Sequence, residues 1–214
     1  MIYPTKDIVS SAAYFNSQAR HETHTEFLEI ISGAALITLN NSTRIYTASD
    51  GIITIPRYAK HEWQRASRAP DLGFDFFDDS SPENNHTYQE MDDELIVREW
   101  TQPSDGKKEI FFRNLSGIIS HSTQNGHPDW YVTLQLWILF ATMDNWPVFF
   151  RAGNVPVFGG WIERLGIARI LEWGVTHVLL GVAGLVGRVS GVKGVWGAFT
   201  PEMVDRREGG EKRD

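Results

Sequence analysis

Between Glu26 and Phe77, apolar residues come in short blocks separated by turn formers. FLEIIS ends at Gly33, AALITL at Asn40-Asn41, RIYT at Ser49-Asp50-Gly51 and IITI at Pro56; LGFDFF follows a break at Pro70-Asp71. Closely spaced blocks rich in β-branched and aromatic residues predict the strands of an antiparallel barrel or sandwich. The stretch 78–94 (DDSSPENNHTYQEMDDE) is acidic and polar, which predicts an exposed loop with a short helix near its end. EIFFRNLSGII then resumes apolar alternation.

The pattern changes after Gly126. WYVTLQLWILFATMDNW has long apolar runs with Leu, Met and Ala, and predicts a helix; residues 161–189 predict another. No repeat recurs at a fixed period. This divides the chain into a β unit over 1–120 with an N-terminal arm, a helical extension over 121–200 and a disordered, charged tail over 201–214. Trp173 to Gly187 is apolar except for Thr176 and His177, shorter than the roughly 20 residues of a spanning helix. Two alternatives stay open for 165–189: packing on the β unit or in a dimer contact, or association with an internal membrane, with Arg164, Arg169 and Arg188 at its margins.

Composition narrows the classes. The chain has 214 residues, 42% of them hydrophobic with eight Trp and twelve Phe, enough for one medium-sized core plus an appendage. A net charge of −7 without a basic stripe gives no nucleic-acid footprint. The absence of cysteine excludes disulfides, thiolate metal sites and cysteine nucleophiles. MIYPTKDIVSSAAYF has no basic n-region followed by an apolar run, so a cytoplasmic location is expected, and the sequons at Asn40, Asn41, Asn85 and Asn114 are read as motif noise. There is no phosphate-binding loop and no GxSxG elbow; GVAGLVG matches a dinucleotide fingerprint only loosely and lies within an apolar helix.

The chemically informative text is HETHTEFLEIISG followed by DGIITIPRYAKH. Six residues separate Glu26 from Gly33, Gly51 precedes Pro56, and His61 lies five positions after that proline. These spacings resemble the two motifs of the cupin superfamily. With the later EIFFRN, they resemble small fungal cupin-like proteins found beside secondary-metabolite enzymes. The resemblance implies a double-stranded β-helix (a jelly-roll barrel) with a C-terminal helical extension, homodimerisation, and His21, Glu26 and His61 converging in a pocket. It also implies an enzyme that tailors a hydrophobic, polyketide-like small molecule by isomerisation, dehydration, cyclisation or decarboxylation. A non-haem iron dioxygenase and a non-catalytic ligand-binding barrel are the alternatives.

Three positions depart from the family pattern: Ala19 stands where the first histidine of HxH is expected, Tyr58 replaces the glycine of PxGxxH, and Arg65 replaces an asparagine. The ligand set therefore has two registers. In one, His21, Glu26 and His61 bind one divalent ion (Fe, Mn or Zn), with a bend after His21. In the other, a straight strand puts His24 on the face of Glu26, and His24 replaces His21. A metal-free pocket, in which histidine and Glu26 work as an acid–base pair, is the third possibility. Among other candidates, Tyr58, Lys60 and Glu62 are expected on a rim, and Asp75 and His86 at the surface. His121, His127 and Asp129 are expected in a surface loop, and His177 as a packed histidine.

Overall fold

Alternation of buried and exposed residues organises the β part of the chain. The computed structural model describes residues 2–4, 18–40, 42–68, 94–149 and 167–200. The expected strand LGFDFF, the 78–93 loop, Asp75, His86, residues 161–166 and the tail from 201 lie outside them. The chain divides into two units, Met1–Ser104 and Asp105–Asp214.

The first unit holds strands β1 (Ile2–Pro4), β2 (Ala19–Arg20), β3 (Thr25–Ser32), β4 (Ala35–Leu39), β5 (Ser42–Tyr46), β6 (Ile52–Ile55), β7 (His61–Arg65) and β8 (Ile96–Gln102). All the pairings among them are antiparallel, in two sheets ordered β1-β8-β3-β6 and β5-β4-β7-β2. In β3 the residues Glu26, Leu28 and Ile30 are buried while their neighbours are half-buried or, at Ile31, exposed, the period of two that a one-sided sheet imposes. Register carries that face across the sheet. Glu26 lies opposite Ile55 on one side and Thr101 on the other, and Leu28 lies opposite Ile53 and Glu99.

The core combines residues from both sheets: Leu28, Ile30, Ile53 and Val97 from one, Ala35 and Ile37 from the other, with Leu95 between strands. Each leucine, isoleucine and valine among them contributes about 1.5–3 kcal/mol on burial. The outer face of β3 and β8 carries the Phe27–Trp100 stack and the Arg98–Glu29 ion pair at 3.0 Å. Gly33 turns the chain from β3 into β4 with φ +74°, and a Cβ there would meet Glu94 O and Leu95 Cα at 3.0 Å. The glycine of the first motif is thus needed for both its conformation and its size.

The second unit contains α1 (Lys107–Asn125), α2 (Asp129–Thr142) and α3 (Ile167–Ser190). The last two match the helices read from the sequence. The first does not: EIFFRNLSGII is helical, so 107–120 joins the second unit rather than the β unit. Its buried residues are Ile110, Phe111, Asn114, Ile118 and Ser122, a spacing of three to four that fits a helix and not a strand. The sequon residue Asn114 is fully buried; its amide donates to Ile110 O and its Oδ1 accepts from Trp196 N–H.

Candidate metal and proton-transfer site

His21, Glu26 and His61 reach one another from three different local structures. Glu26 projects from β3 into the interior with 0% exposure, and His61 opens β7 in the other sheet at 6%. His21 follows β2, just before a bend at Glu22-Thr23 that carries the chain from one sheet to the other. Tyr58 N–H donates to His21 C=O at 2.7 Å, tying the turn before β7 to this bend.

The three side chains converge on one atom. Glu26 Oε2 is 2.5 Å from His21 Nε2 and 3.3 Å from His61 Nε2, and the two rings lie 5.1 Å apart at 37°. Ligand atoms of all three lie within 4.8 Å of one another, so the buried group can hold a metal ion. His61 Nδ1 lies 3.3 Å from Ala59 O, which only accepts, so Nδ1 carries the hydrogen. In a neutral ring, the Nε2 lone pair then faces the carboxylate oxygen. Two acceptors in that position need a cation between them, either a proton on the imidazole or a bound metal.

The structure brings together His21, Glu26 and His61 and leaves His24 outside the group. His24 is buried at 3%, but its Nδ1 pairs with Thr23 Oγ1 at 2.8 Å. Ala19, half-buried, lies directly opposite His61 in the β2–β7 register. Tyr58 is 62% exposed, so its ring lies at the surface. Its φ of +64° is the conformation a glycine adopts at no steric cost. Replacing an exposed residue held in the left-handed region with glycine removes that strain. We expect Tyr58→Gly to stabilise the protein by about 0.5–1 kcal/mol, read as a higher urea midpoint with unchanged slope.

Lys60 and Glu62 are half-buried on either side of His61, and Glu62 alternates away from it along β7. Arg65 closes that strand opposite Ala35. In the second unit, His121 ends up on α1 rather than in a loop, with its ring 5.5 Å from that of His127; Asp129 starts α2. His177 is packed as expected, stacked 4.0 Å from both Trp146 and Trp173, with Nδ1 donating to Trp173 O at 2.9 Å.

Two interior residues of β8 beside the site were not singled out by the sequence. Glu99, 3% exposed, and Thr101, 8% exposed, share the inward face of β8 with Val97. Thr101 sits opposite Glu26, and Glu99 is its diagonal neighbour. The alternation V-x-E-x-T was the available signal, and its polar members made the inward face hard to choose. Comparisons with protein-family models, curated proteins and solved structures return no match.

Proposed function

We propose that the first unit is a cupin-type barrel that acts on an apolar small molecule by proton transfer. The reaction class is isomerisation, dehydration, cyclisation or decarboxylation of a polyketide-like compound, the class implied by the resemblance to small fungal cupins. The observation that carries this proposal is the convergence of two buried imidazoles on one buried carboxylate oxygen beside an aliphatic core.

Glu26 and His61 work as one proton-transfer pair. Ala59 C=O accepts from His61 Nδ1–H and so fixes the ring with Nε2 against Glu26 Oε2, and the proton taken from substrate carbon is held between those two atoms. Glu26 stabilises the imidazolium that forms, and His21 is the second proton station on the same oxygen. The low-dielectric surroundings strengthen both interactions. When a divalent ion is bound by these residues, it supplies polarisation of a substrate carbonyl oxygen. The two-histidine, one-carboxylate donor set also supports a second reading, an iron-dependent dioxygenase.

A β-dicarbonyl probe in deuterated water tests both. Wild-type protein is expected to speed hydrogen–deuterium exchange at the carbon between the carbonyls by about 100-fold or more over buffer, with His61→Ala and Glu26→Gln near the buffer rate. Oxygen uptake by iron-loaded protein without exchange would move the assignment to the dioxygenase. Neither activity would leave a ligand-binding barrel and overturn both.

A further inference from the structure

Helix α3 buries a stripe of mostly small residues and leaves its large aliphatic side chains exposed. A soluble amphipathic helix turns its apolar stripe inward. Here the buried stripe is Ala168, Glu172, Thr176, Leu180, Ala183 and Gly187, mostly small residues with one leucine and two polar side chains. Those positions have protein partners: Thr176 Oγ1 donates to Pro147 O at 3.1 Å and to Glu172 O at 3.0 Å, and Gly187 lets the Ile138 side chain close against the helix. The outward side carries Ile170 (67% exposed), Val178 (65%), Val182 (55%), Leu185 (61%) and Val189 (84%). Spacings of three and four put the last four on one continuous apolar strip.

Charge and shape indicate what covers this strip. Along its edge opens a groove of about 790 Å³, with Gly181 and Gly184 in its wall on successive turns. Trp146, stacked on His177, stands at one end; Arg188 and Lys193 stand at the other. From His177 to Arg188 the helix rises about 16 Å. An apolar trough that ends in two cations is complementary to an acyl chain attached to a phosphate. The inner face of α3 is occupied by α2 and Pro147, so lipid can reach only the outer one.

We propose that α3 docks the second unit on one leaflet of a phospholipid bilayer, lying in the interface rather than crossing it. Its valine and leucine strip enters the acyl region, and Arg188 and Lys193 reach the phosphates.

Flotation of the full chain with phosphatidylcholine vesicles, with and without phosphatidylglycerol, tests this. Wild-type protein is expected to float with both, and more strongly with phosphatidylglycerol. The double variant Val178→Glu, Val182→Glu is expected to partition at least about 10-fold less, because it places two charges in the acyl region. Both positions are exposed, so its circular dichroism and metal content should match wild type. Arg188→Glu, Lys193→Glu should lose only the phosphatidylglycerol increment. Failure of wild-type protein to float would overturn the proposal, as would flotation unchanged by the valine substitutions. A dimer that becomes monomeric in the valine variant, with no vesicle binding, would assign the strip to a second copy instead.

Discussion

Glu26→Gln protein, purified without an affinity tag, is expected to retain less than about a tenth of the wild-type content of iron, manganese or zinc. The reason is geometric. A single oxygen, Glu26 Oε2, faces both His21 Nε2 and His61 Nε2, so the one negative charge of the group sits where the cation would bind. Glutamine keeps the volume but removes the charge and can turn a hydrogen-bearing nitrogen toward the imidazoles. Loss of an outer-shell partner alone typically costs about 10–100-fold in metal affinity, and loss of a ligand costs more. Elemental mass spectrometry gives the content, and circular dichroism establishes that the variant is folded. Acidification should release the same metal from wild-type protein, because protons compete for the two imidazoles. Equal metal in wild type and variant would show that the ion, if any, is held elsewhere.

The opposite change is expected from Ala19→His, which should tighten zinc or manganese binding by about 10–100-fold in calorimetric titration. Ala19 and His61 are directly opposed in the antiparallel β2–β7 ladder, so their side chains leave the same face. Cβ atoms of opposed residues lie about 4.5–5.5 Å apart, within reach of a shared ion for two imidazoles. The substitution supplies a fourth protein ligand and creates an HxH pattern ahead of Glu26. A tighter, more closed site should also slow any reaction that needs an open coordination position. Unchanged affinity with a folded variant would mean that the ion does not sit on the His61 side of Glu26.

Much of the site was legible because its signals are local. Glu26 and His61 stood out through their spacing to Gly33 and Pro56, both of which were visible as punctuation. The structure adds that Gly33 sits against Leu95 and that Tyr58 adopts a glycine conformation. The choice between His21 and His24 was not legible. A straight strand favours His24, which shares the period-two face of Glu26, whereas the bend at Glu22-Thr23 places His21 against the carboxylate. That bend exists because β2 and β3 belong to different sheets, a fact no window of the sequence contains.

The same division runs through the rest of the chain. Strands β3 to β6 and helices α2 and α3 were determined by sequence alone, since alternation, turn residues and long apolar runs act over a few neighbours. Strand β8 was hidden because Glu99 and Thr101 are polar yet face inward, and only pairing with β3 makes that face the interior. Helix α1 was hidden because adjacent Phe111 and Phe112 suit either period until its partners select which side is covered. Hydropathy marked α3 as apolar, but packing against α2 and Pro147 decided that Glu172 and Thr176 would be buried among its small residues and its valines exposed. Local chemistry thus determined which segments form elements and which residues are candidates for chemistry. Facing, the property that makes a ligand set or a lipid-binding strip, depends on contacts between residues far apart in the chain, and only the tertiary structure decided it.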